Sequence, residues 1–177
     1  MKVKNIELEE VKKDTMKYDC KHLVLTGGEP MLQQDELILL LRFLKESGYY
    51  IEVESNGTIL PKPEIEQLVD EWDISPKLMS SMNAIELREK QECYEYFRNL
   101  PNSFFKYTVQ DDHDLDEVQR LTKKYDIPIN KILLMPEGFE EEELTKRSKW
   151  LIKFCKEKGY RFTPRIQISL WGNRRGI

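Results

Sequence analysis

The chain has 177 residues, 34% charged and 40% hydrophobic, which is enough apolar material for one core and too much for intrinsic disorder. Its 28 lysines and arginines against 32 acidic residues leave a net charge of −4, which argues against a broadly basic nucleic-acid surface. No apolar run reaches the length of a membrane span, and the charged opening MKVKNIELEEVKKD lacks the apolar stretch of a secretory signal. The expectation is a single cytoplasmic domain over residues 1–177, with neither a membrane nor a nucleic-acid partner.

In chain order, residues 22–26 (HLVLT) predict a buried strand that ends at Gly27-Gly28. Residues 33–46 place Leu37, Leu40, Leu41 and Leu44 at helical spacing, and Gly48 follows as a C-terminal cap. Residues 49–54 predict a strand closed by the turn Ser55-Asn56-Gly57. A short helix at 63–70 leads to a strand at 72–75, stopped by Pro76. Residues 83–99 are expected as a helix and 104–109 as a strand. Residues 115–125 are expected as a helix with Asp114 as N-cap. A strand at 131–135 precedes a long helix at 140–158, whose acidic first turn and basic last turn suit the helix dipole. The last strand is expected at 163–170. Such alternation predicts parallel strands with crossover helices, an α/β fold that binds ligands beyond the carboxyl ends of its strands.

Cys20, Cys93 and Cys155 are too scattered for a disulfide framework, and no pair has CxxC or CxxxC spacing. They are expected as ordinary thiols. His22 and the acidic loop around His113 are expected to be solvated, as is the run EGFEEEEL at 137–144. Arg174-Arg175 is a weak anion signal in an acidic chain.

The residues just after the strands carry the chemistry. They are Thr26-Gly27-Gly28-Glu29-Pro30, Ser55-Asn56-Gly57-Thr58, Ser75-Pro76-Lys77, Met135-Pro136-Glu137 and Trp171-Gly172, with Lys106 and Gln110 on the fourth strand. Paired glycines let a backbone approach a ligand closely. Carboxylate, hydroxyl and ammonium groups could meet an amine, a sugar and a carboxylate respectively. An amino-acid-bearing nucleoside fits that set.

The string VLTGGEPMLQ at 24–33 resembles the glycine-rich motif of radical S-adenosylmethionine enzymes. VESNGT at 53–58, ISPK at 74–77, LLMPEG at 133–138 and TPRIQISLWGNRRGI at 163–177 follow at family-like spacing. The ordered set resembles the 7-carboxy-7-deazaguanine synthase family and covers the chain from about residue 20 onward. The resemblance implies an incomplete parallel β/α barrel. It also implies a radical lyase that converts the pterin 6-carboxy-5,6,7,8-tetrahydropterin to 7-carboxy-7-deazaguanine in queuosine and archaeosine biosynthesis. The cofactors implied are S-adenosylmethionine, a 4Fe–4S iron-sulfur cluster and magnesium.

By position, the resemblance puts Gly27, Gly28 and Glu29 at the methionine amino group, and Ser55, Asn56 and Thr58 near the sulfonium and ribose. It puts Ser75 and Lys77 near the carboxylate and ribose, and Met135, Pro136 and Glu137 beside the adenine. Arg165, Gln167, Trp171 and Gly172 would border the pterin. Ser55 stands where the family often has threonine, so a hydroxyl is kept.

The family's CxxxCxxC cluster loop has no counterpart in residues 1–177, nor does the magnesium-contacting residue that follows it. No metal ligand or catalytic residue is assigned. Three readings stay open: a synthase chain truncated so that it lacks the cluster loop, a clusterless relative that binds a nucleoside or a partner, and a catalytically silent domain that keeps the motifs only as fold elements. With the family's first strand missing, the strand at 22–26 would have a bare edge. That edge predicts a homodimer, an exchanged segment, or cover by residues 1–20.

Overall fold

The computed structural model describes residues 6–174; Arg175 and the last two positions lie outside the described residues. Hydrogen-bonded neighbours in the sheet follow chain order, from β1 to β6. Among the described residues β1 and β6 are therefore edges, and the sheet does not close. The chain divides into two compact units, residues up to Ser55 with Ile59–Trp72, and Asn56–Thr58 with Asp73 onward.

The first unit holds α1 (Leu8–Thr15), β1 (His22–Leu25), α2 (Gln34–Glu46), β2 (Tyr50–Ser55) and α3 (Pro63–Glu66). A 3-10 turn, Pro30–Gln33, precedes α2. β1 and β2 are parallel, with His22 opposite Tyr50 and Leu25 opposite Val53. The leucine stripe of α2 is buried as its spacing predicts, with Leu41 and Leu44 fully enclosed. It meets Ile51 and Val53 from the inner face of β2, and each such side chain contributes about 2 kcal/mol relative to exposure. Gly48 ends α2 with φ of 79°, a conformation open to glycine without strain. Asp70 ties the layers together: it accepts the Ile51 amide at 2.7 Å and pairs with the Lys45 ammonium at 2.8 Å.

β1 corrects an expectation, because its side chains alternate between exposed and half-buried rather than being buried. An edge strand has one neighbour, and this one carries His22 and Val24 on its open side. α1 packs against α2, with the Lys12 ammonium over the Phe43 ring, and Tyr49 donates to the Thr15 carbonyl.

β3 (Glu71–Ile74) straddles the division, and Asp73 and Ile74 belong to the second unit. That unit continues with α4 (Ile85–Arg88), α5 (Gln91–Asn99), β4 (Ser103–Val109), α6 (Asp112–Lys124), β5 (Ile132–Pro136), α7 (Glu141–Lys158), β6 (Arg161–Phe162) and α8 (Ile166–Trp171). β4 pairs in parallel with β5, and β5 with β6. Phe105, Tyr107 and Val109 alternate into the core with Ile132 and Leu134. Leu115, Val118 and Leu121 of α6 and Leu144 and Leu151 of α7 bury their own apolar faces. The Tyr94 ring of α5 stacks on Tyr125 at 4.2 Å and on Phe105 at 5.7 Å.

Three further expectations are corrected. The single helix over 83–99 is two, broken where Glu89 and Lys90 take extended backbone. The N-cap of α6 is Asp111, whose carboxylate accepts the Asp114 amide at 3.1 Å. Asp114 lies one turn in and accepts the Gln110 amide at 2.9 Å. The strand over 163–170 is instead the two-residue β6 followed by α8. Pro164 lacks the amide that a longer ladder with β5 would use, and α8 buries Ile168 alone among its apolar residues.

Candidate functional site

In the first unit β1 delivers Thr26, Gly27, Gly28 and Glu29 at its carboxyl end. Gly27 has φ of 146°, which a side chain would strain, and a Cβ added at Gly28 would meet nothing within 4 Å. The backbone at Gly28 therefore borders open space. Glu29 is buried and caps the following 3-10 turn: its Oε1 accepts the Met31 amide at 3.0 Å and the Ser55 hydroxyl at 2.9 Å. Ser55, at the end of β2, is 2% exposed. These two polar groups are thus engaged with each other beneath the glycine turn. Thr26 donates to Glu54 at 3.0 Å, so the half-exposed face of β2 is polar as well.

In the second unit Asn56 Oδ1 accepts both the amide and the hydroxyl of Thr58, at 2.9 and 2.6 Å. Gly57 between them has φ of 71°, and an added Cβ would lie 2.5 Å from the Ile74 side chain. Only glycine makes this turn against β3.

A cavity of about 260 Å³ opens beyond the ends of the second unit's strands. Ser75, Lys77, Ser81, Thr108, Gln110 and Glu137 line it. Three of these, Ser75, Lys77 and Glu137, were marked as cofactor-binding by the family resemblance. Thr108, Ser81 and Asp114, which also borders the cavity, were not. Period-two alternation along β4 puts Lys106, Thr108 and Gln110 on one face, and that signal could have found Thr108. On the same face Lys106 pairs with Asp73 at 2.5 Å, a largely buried bridge.

Glu137 is set by the chain and by Arg147. Its amide donates to the Val109 carbonyl at 2.8 Å, extending the ladder past Pro136. Arg147 donates to its carbonyl at 2.7 Å and to its carboxylate at 2.5 Å. Met135 is half-buried on β5 and Pro136 is buried. Of the residues expected to border a pterin, Arg165 caps α8, donates to the Gly138 carbonyl at 3.0 Å and lies over the Phe139 ring. Gln167 donates to the Arg174 carbonyl, Trp171 is half-exposed, and Gly172 closes α8. These four lie on α8 and its two caps, and none of them lines the cavity. A larger depression of about 900 Å³ along α7 is lined by Glu140, Glu142, Lys146 and Lys149. It sits on one charged helix face and includes none of the residues expected to bind a ligand.

The cysteines do not form a metal-binding set. Cys20 is exposed ahead of β1, while Cys93 and Cys155 are buried on α5 and α7. Burial pushes the Cys155 thiol up to about 11, the reverse of what a thiolate ligand needs.

Parallel strands joined by helices, with polar groups gathered beyond the strands' carboxyl ends, define an α/β protein with its candidate site at the strand ends. No family model matches the chain. It is 35% identical over 159 residues to a 7-carboxy-7-deazaguanine synthase of Pyrobaculum aerophilum, covering 88% of this chain and 67% of that protein. A protein of the same name from Halobacterium salinarum is 33% identical over 173 residues, covering 86% and 65%. The chain belongs to the 7-carboxy-7-deazaguanine synthase family. It spans about two-thirds of the length of these relatives. The crystal structure of QueE from Escherichia coli shares the fold, with a TM-score of 0.62 at 19% identity over 90% of this chain and 64% of that one.

Proposed function

We propose that this chain binds S-adenosylmethionine at the strand ends and serves the conversion of 6-carboxy-5,6,7,8-tetrahydropterin to 7-carboxy-7-deazaguanine. One observation carries the reading: in a member of this family, Ser75, Lys77 and Glu137 converge on one polar cavity. Lys77 would meet the cofactor's carboxylate, with Ser75 beside it at the ribose. Met135, Pro136 and Glu137 would border the adenine. The open space at Gly28 would admit the methionine end, with Gly27 supplying the turn and Glu29 the negative charge for the amino group. Ser55, Asn56 and Thr58 would support that cradle, while Arg165, Gln167, Trp171 and Gly172 would face the pterin. Bound S-adenosylmethionine supplies the adenosyl group from which radical chemistry starts. The radical step also needs a 4Fe–4S cluster, and the three cysteines of this chain do not fit one. Magnesium is assigned no residue.

A second reading stands beside it, a clusterless relative that binds the nucleoside without radical chemistry. Iron and acid-labile sulfide after anaerobic reconstitution separate the two when this chain is run beside one extended by the upstream coding sequence: iron in the longer chain alone supports the synthase, and iron in neither supports the binding protein.

The reading makes residues 1–177 act as one domain in the cytoplasm on a small-molecule substrate, without nucleic-acid or membrane partners. No helix among the described residues is long and apolar enough to cross a membrane. The open edge of β1 supports a homodimer, and sedimentation equilibrium tests it.

Calorimetric titration with S-adenosylhomocysteine tests the site. The wild-type chain binds it. Gly28→Val, which fills the open space without touching the core, abolishes binding at unchanged stability. Equal affinity in the variant would remove Gly28 from the site.

A further inference from the structure

The wall of the cavity formed by residues 77–83 is held by side chains that do not line it with their own charged groups. Arg88 is 6% exposed. Its Nη1 donates to the Lys77 carbonyl at 3.1 Å and its Nε to the Asn83 carbonyl at 3.2 Å, so one guanidinium grips both ends of the segment. The same Nη1 meets Glu117 Oε1 at 2.7 Å, and Glu117 Oε2 accepts the Met79 amide at 2.6 Å. Between these anchors the backbone makes a 3-10 turn, and Met82 takes φ of 58°, an uncommon conformation for a long side chain. Met82 is 93% exposed, so its own packing cannot impose that conformation.

We infer that Arg88 and Glu117 are a positioning pair for the ligand cavity, setting where Lys77 and Ser81 stand. A planar fork can satisfy two carbonyls and a carboxylate together, which a lysine ammonium at the end of a flexible stem cannot do in the same geometry. Glu117 is needed in turn, because a buried guanidinium without its carboxylate is strongly disfavoured. Arg120 reinforces it from the solvent side, donating to Glu117 at 3.2 Å and to Glu89 at 2.8 Å.

The inference rests on the proposed reading only for the identity of the ligand. Arg88→Lys and Glu117→Gln are compared with the wild type at a temperature where circular dichroism shows all three folded. Hydrogen exchange at the Met79 amide and calorimetry with S-adenosylhomocysteine are then recorded. Met79 exchanges at least about tenfold faster in both variants, while the Tyr107 amide in β4 is unaffected. Affinity falls about tenfold. Unchanged Met79 protection in the folded variants overturns the pair's role, and so does faster exchange with unaltered affinity. A wild-type chain that does not bind the probe sinks the proposed function instead, and the exchange data still decide whether the pair holds the loop.

Discussion

Ser55 donates its hydroxyl to Glu29 across 2.9 Å, joining the end of β2 to the turn after β1. Both residues are buried, and the same carboxylate oxygen caps the turn that opens α2. Removing the hydroxyl leaves a buried carboxylate short of a donor. Ser55→Ala therefore loses about 1–2 kcal/mol in urea denaturation, and Ser55→Thr, which keeps the hydroxyl, loses less.

Among the described glycines, Gly57 has the least room for a side chain. Gly57→Ala places a methyl against the buried Ile74 side chain while also straining a backbone at φ of 71°. We expect a loss of about 2–3 kcal/mol. Measured in an Ile74→Ala background, which lacks the contacting Cγ2 methyl, Gly57→Ala recovers the steric share of that loss but none of the backbone strain. Recovery of the full loss in the double variant would show that sterics alone set the glycine requirement.

Glu89 makes the fold acid-sensitive. Burial would raise its pKa, but donors from Arg120, Lys124 and Tyr125 outweigh that and bring it down to about 2, against 4.5 for an ordinary glutamate. A depressed carboxyl contributes its full stabilisation above the unfolded value and loses it as pH falls toward the folded one. Glu89→Gln is therefore about 2 kcal/mol less stable than wild type at pH 7. The gap narrows between about pH 4.5 and 2, which a series of thermal melts would record.

The three thiols separate by reactivity. Cys20 is exposed, Cys93 is buried, and Cys155 is both buried and raised to about 11. A thiol reagent at pH 8 modifies one cysteine quickly in the native protein and the other two only on unfolding. Fast labelling of Cys155 would mean that α7 opens readily.

The elements that sequence reading recovers are those whose side-chain pattern and burial agree. Leu37, Leu40, Leu41 and Leu44 recur at helical spacing and all four are buried, so α2 was legible to its last residue. Gly27-Gly28, Ser75 and Lys77 were legible because they follow strands that end at turn residues. Residues 166–171 misled because Ile166, Ile168 and Leu170 alternate like a strand, yet only Ile168 is buried in a helix. Asp111 and Asp114 are equally good caps in isolation, and hydrogen-bond geometry alone separates their roles. Arg88 and Glu117 were invisible, since their partners are backbone groups brought near by folding.

The strand order of the second unit bears on how the chain is made. β5 lies beside β4 and β6 beside β5, so each strand leaving the ribosome meets a partner already synthesised, one crossover helix earlier. No pairing in that series waits for the C-terminus. Assembly can keep pace with synthesis, and shortening from the C-terminal end removes pairings in the reverse of the order in which they formed.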